Sequence, residues 1–184
     1  MQAKDNGLGF SPITIVLHWL AAFVVVSLML LQLVISSASD ALPVAELEQL
    51  RNTFGLLLVI VSCYRLWARL SSFHPLPVGT PNPVQLLVGR SVAVALTLAC
   101  VLLPIAAWLS MSAGGNTVEL IGGWRLAAPL ARDDGVKKVF DVLFAIGITP
   151  FLAGLALHMF AACKSHFVLK NDSLRRMLGK HVEL

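Results

Sequence analysis

Thr14-Ile15-Val16-Leu17-His18-Trp19-Leu20-Ala21-Ala22-Phe23 decides how the chain folds. It sets a histidine about one turn inside an apolar run from Ile13 to roughly Ser36. At about 1.5 Å per helical residue, a run of this length covers a hydrocarbon layer roughly 30 Å thick. An imidazole inside such a run is costly and marks a functional position. The only other histidine in the middle of an apolar run is His158, in Gly154-Leu155-Ala156-Leu157-His158-Met159-Phe160-Ala161-Ala162. Two such imidazoles can hold one metal from opposite sides, and the rest of the chain is read around that pair.

The bulk numbers put the chain in a membrane. With 184 residues, 57% hydrophobic and 13% charged, and a mean hydropathy of +0.81, it carries about half the charge of a soluble domain. The length suits one domain over residues 1–184. The net charge of +4 sits at the ends of apolar runs, where basic residues orient helices, so no nucleic-acid partner is expected. Cys63, Cys100 and Cys163 lie in apolar segments without CxxC or zinc spacing, and read as small core residues. The first apolar run is too long for the core of a secretory signal and reads as a retained helix.

The order along the chain predicts an all-α, integral-membrane, up-down four-helix bundle. Ser11-Pro12 starts a helix over 13–36, as a cap followed by proline at the first helical position. A second helix over 46–70 begins amphipathic and ends in Tyr64-Arg65-Leu66-Trp67-Ala68-Arg69-Leu70, which belongs at the interface and headgroup level. The linker from His74 to Pro83 holds four prolines and cannot be helical. A third helix over 84–113 contains Pro104. A Gly-rich loop with Trp124 leads to Asp133-Asp134, which can cap a fourth helix over 135–169 containing Pro150. The tail Ser173–Lys180 is short, basic and amphipathic, and suits an anionic membrane surface. Four spans put both termini on one side. Nine basic residues on that side against five on the other (Arg51, Arg125, Arg132, Lys137, Lys138) place the termini in the cytoplasm.

In such a bundle the first and last helices run antiparallel and can be neighbours, and both histidines fall in the cytoplasmic half. Two neutral imidazoles facing each other suit a haem iron held on both faces, a site that favours electron transfer over oxygen binding. Small residues flank both: Ala21 and Ala22, and Gly154, Ala161 and Ala162. They either make room for a porphyrin or let helices pack closely. Arg65 and Arg69 either pair with haem propionates or serve as positive-inside anchors. His166 lies two turns beyond His158 towards the surface, and could ligate in its place or face headgroups. His74 and His181 read as surface residues. No catalytic acid or base stands out.

The order and spacing of these motifs resemble the bacterial cytochrome b561 family over essentially the whole chain. The resemblance rests on His-Trp-Leu early in helix one, Tyr-Arg-Leu-Trp-Ala-Arg-Leu ending helix two, and the Pro-Leu-Pro-Val-Gly-Thr-Pro linker. It continues in the late histidine followed by Ala-Ala-Cys-Lys-Ser-His-Phe, and in Leu-Lys-Asn-Asp-Ser-Leu-Arg-Arg-Met. It implies two stacked b haems, each between two histidines, and electron exchange with membrane quinone. His18 and His158 match the cytoplasmic-side pair. The other pair is missing, since Asn52 stands where the helix-two ligand is expected and Phe144 where the helix-four ligand is expected. The chain is therefore expected to hold one haem b. The far face of the membrane is then left roughly 15–20 Å from the iron, with Phe140 and Phe144 filling the vacated space or leaving room for quinone or lipid.

The expected function is that of a single-haem electron carrier of the bacterial inner membrane that exchanges electrons with quinone or quinol. A reading of a different class is an accessory subunit that keeps the fold but works by joining a larger membrane complex. A transporter is the weakest reading, because beyond the two prolines there is no broken-helix pair.

Overall fold

The computed structural model describes residues 5, 9–38, 42–72 and 82–180. Lys4, His74, His181 and the proline linker over 74–81 lie outside them. α1 (Pro12–Ser36) starts at the expected cap. Ser11 Oγ accepts the Thr14 N–H at 3.2 Å, and Asp5 Oδ1 accepts both Ser11 N–H at 2.7 Å and Thr14 Oγ1–H at 2.8 Å. α2 (Val44–Ser71) begins two residues before the sequence pattern. The Pro43 carbonyl accepts from Glu46 and Leu47 and so closes the first turn early.

α3 (Pro83–Ala113) opens with proline at its first position and Asn82 Oδ1 on the Val84 N–H at 2.8 Å. α4 (Asp134–Cys163) is capped by Asp133, whose Oδ1 accepts the N–H groups of Gly135 and Val136 at 2.8 and 3.0 Å. Its α-helical bonding stops at Cys163, short of the expected Leu169. A wider π turn carries the chain over Lys164–Val168, followed by a short α5 (Ser173–Met177). Pro104 and Pro150 stay inside α3 and α4.

The fold is an all-α helical bundle, and four of its helices are long and apolar enough to cross a membrane. An isolated bridge pairs Glu119 with Arg125. Large side chains such as Val16, Phe23, Leu33, Ile60, Leu102 and Ile146 are exposed. That is costly in water and ordinary in lipid, where a helix can be apolar on every face.

The chain packs as two compact units. The terminal unit holds Met1–Trp19, Cys63–Ala99 and Thr149–Leu184; the second holds Leu20–Ser62 and Cys100–Ile148. Within the terminal unit, Gly154 lies against Leu96, where an added Cβ would sit 3.4 Å from Leu96 Cδ2. Within the second unit, a Cβ on Gly147 would come within 2.8 Å of Leu103 Cδ2. These glycines let α3 and α4 approach closely. At the loop end of the second unit, Ser110 Oγ donates to Asp141 Oδ1 and so joins the same two helices, while Lys137 Nζ, one turn away on α4 itself, pairs with Asp141 Oδ2 at 2.6 Å.

Candidate metal centre

The terminal unit brings the two mid-run histidines together. His18, half-buried on α1, and His158, half-buried on α4, have ring centres 6.2 Å apart with planes at 63°. An imidazole–metal bond is about 2.0 Å. With roughly 1 Å more from ring nitrogen to ring centre on each side, two imidazoles on one metal stand about 6 Å apart.

Arg65 on α2 donates from NH2 to His18 Nδ1 at 3.0 Å. A guanidinium has no acceptor, so Nδ1 is the acceptor and Nε2 carries the proton. Arg69 follows one turn later, half-buried. Trp19, next to His18, donates its indole N–H to the Met177 carbonyl at 2.9 Å, so α5 is tied to the start of α1. Gly154 packs on Leu96, which favours helix contact over porphyrin space at that position. His166 is half-buried and lines a separate polar cleft with Lys170, Asn171, Asp172 and Arg175. Among the described residues, no three His, Cys, Asp or Glu side chains gather to hold a bare ion.

The second unit is built differently. Asn52 Nδ2 donates to the Glu119 carbonyl at 3.0 Å. One turn before it, Gln49 Nε2 donates to Glu119 Oε2 at 3.4 Å; immediately after it, Thr53 Oγ1 accepts the Ile121 N–H at 3.0 Å. The loop is itself folded back, with Leu120 N–H on the Trp124 carbonyl and Arg125 paired to Glu119 at 2.8 Å. Gln49, Asn52 and Thr53 thus latch the 114–133 loop onto the start of α2. Phe140 and Phe144 are half-buried on α4.

The latch was not anticipated from the sequence. The available signal was the polar i, i+3, i+4 stripe on α2, whose members share a helix face. Asn52→Ala is expected to speed amide exchange at Ile121 several-fold, as befits a bond worth about 0.5–1.5 kcal/mol, without changing haem content. Unchanged exchange at Ile121 would show that Asn52 does not hold the loop.

The chain is all-α, with four helices long and apolar enough to cross a membrane, and sets a histidine of the first beside one of the last. The profile of the family described as prokaryotic cytochrome b561 matches residues 9–180. The chain is 30% identical over 174 residues to cytochrome b561 homolog 2 of Escherichia coli (strain K12), a match covering 93% of this chain and 92% of that one. The chain belongs to the prokaryotic cytochrome b561 family. Membership makes it a membrane b-type cytochrome of electron transfer.

Proposed function

We propose that the chain carries electrons through a single haem b held between His18 and His158, at the cytoplasmic side of the bacterial inner membrane, and exchanges them with membrane quinone or quinol. The observation that supports this most is the 6.2 Å separation of the two rings, the spacing that suits one metal between them. Two imidazoles without further protein ligands suit a metal that brings its own equatorial nitrogens. Haem, when bound, would supply a one-electron change between ferrous and ferric iron, and His18 and His158 together would leave no position for an added ligand.

Coordination through Nε2 of His18 would require a proton on Nδ1, which a guanidinium cannot accept, so the Arg65 contact with that nitrogen would give way to one with an anionic group. The propionates of haem are such groups, and Arg65 with Arg69 would hold them by charge-assisted bonds. Quinone as the partner rests on the family resemblance. The side of the membrane rests on the nine-against-five distribution of basic residues.

The residues of the second unit do not fit a second haem. The side chain at the expected α2 position, Asn52, is spent on the Glu119 carbonyl, and Phe144 has no lone pair to offer. The same feature favours the alternative of an accessory subunit, because such a chain has no second metal step to relay electrons across the bilayer.

The chain purified in mild detergent is expected to contain about one haem and one iron, and to be reduced by a short-chain quinol. Two haems per chain would sink the single-site reading. A stable assembly with other subunits whose haem ignores quinol would favour the accessory role.

A further inference from the structure

We infer that the junction between α4 and α5 binds the phosphate headgroup of an anionic phospholipid. Two irregularities of the backbone meet there. The π turn over Lys164–Val168 widens the end of α4, with the Leu169 N–H on the Lys164 carbonyl at 3.0 Å; such turns are frequent at functional sites. Lys170 then takes a left-handed conformation at φ 50°. A glycine would adopt it freely, whereas a lysine carries a steric penalty.

Together they set His166, Lys170, Asn171, Asp172 and Arg175 around one polar cleft of about 210 Å³. That is roughly the volume of seven waters, which is room for a phosphodiester. Lysine stands at position 170 despite the backbone penalty, and it is one of the residues that line this cleft.

The sign of the cleft selects an anion. Among the described residues Asp172 is the only acid that lines it, and Oδ1 of that residue is already paired with Arg175 NH1 at 3.2 Å. Lys170 and Arg175 stand against it on the cleft, which leaves an excess of one positive charge with His166 neutral. Asn171 Oδ1 accepts the Ser173 N–H at 3.2 Å, so the end of its side chain left to a ligand is the amide donor.

The surroundings select a lipid over a free phosphate. Phe167, Val168 and Leu169 follow His166 directly and are 71%, 69% and 55% exposed. An apolar ledge beside a basic cleft, at the end of a membrane-spanning helix, matches a molecule with an acyl chain and a charged head.

The test uses the full-length, haem-loaded protein in detergent. Phosphatidylglycerol and phosphatidylcholine with the same acyl chains are titrated in turn and bound lipid is counted by native mass spectrometry. Wild type is expected to retain phosphatidylglycerol over phosphatidylcholine. Lys170→Gly should weaken phosphatidylglycerol binding about fivefold, as expected for one cation near a headgroup, while the melting temperature stays equal or rises because the left-handed strain is relieved. Adding Arg175→Gln should weaken binding further, because it removes the second cation of the cleft and leaves Asp172 without its partner.

Inorganic phosphate is the competing probe, and at millimolar concentration it should not displace the lipid. Equal retention of the two lipids would overturn the proposal, as would unchanged binding in Lys170→Gly. Tight binding of free phosphate that displaces the lipid would assign the cleft to a soluble anion and overturn it equally.

Discussion

Replacing either His18 or His158 by alanine is expected to leave the purified chain with almost no haem, against about one per chain in wild type. The two rings stand 6.2 Å apart on α1 and α4, so each would supply one of the two axial bonds and neither has a substitute on the same helix turn. Removing one would leave a haem iron held from a single side only. Alanine suits the interior of a helix, so the change should remove the ligand and spare the element. Haem and iron per chain are the primary measurement, and any residual pigment is checked for loss of the low-spin spectrum of two axial histidines.

Full haem content with an unchanged spectrum in His18→Ala would remove that residue from the ligand set. Haem retained in His158→Ala but lost on adding His166→Ala would transfer the second axial role to His166. The wild-type content is an independent control on the second unit, because a value near two would mean that a further site exists despite Asn52 and Phe144.

Arg65→Gln is the second change with a large expected effect: haem should leave about 10–100-fold faster, as expected for loss of a charge-assisted bond worth about 1.5–3 kcal/mol. Arg65 is in contact with the pair, at 3.0 Å from His18 Nδ1. If its role is to hold a propionate, glutamine keeps part of the hydrogen bonding but none of the charge, and charge-assisted bonds are roughly twice as strong as neutral ones.

The measurement is the rate of haem transfer to a scavenger protein, with the low-spin spectrum expected to persist because both histidines remain. Arg65→Lys should recover part of the loss, since it restores charge without the planar fork. Arg69→Gln separates the two roles weighed for these arginines. An effect as large as that of Arg65→Gln would mean that both residues hold haem, whereas no effect on transfer would leave Arg69 as a headgroup anchor. If Arg65→Gln leaves the transfer rate unchanged, Arg65 has no part in retaining haem.

The sequence by itself determined the class of this protein. Four long apolar runs with polar or proline-rich breaks leave little choice but a helical membrane bundle, because backbone groups in lipid must be satisfied within each helix. Its caps were equally readable, since Ser11-Pro12 and Asp133 work through bonds to residues two or three positions away. His18 and His158 stood out because an imidazole in an apolar run is expensive wherever the chain goes next.

Tertiary structure alone decided what each polar group touches. The separation of the two rings, the Arg65 contact with His18 and the tie from Trp19 to Met177 span 140, 47 and 158 positions of sequence. Periodicity reports which face a residue is on and carries no information about its partner at such range. The Gln49–Asn52–Thr53 latch makes the same point for the position where a second ligand was expected: sequence showed that a histidine was missing, and only the fold showed that a loop carbonyl holds the asparagine in its place.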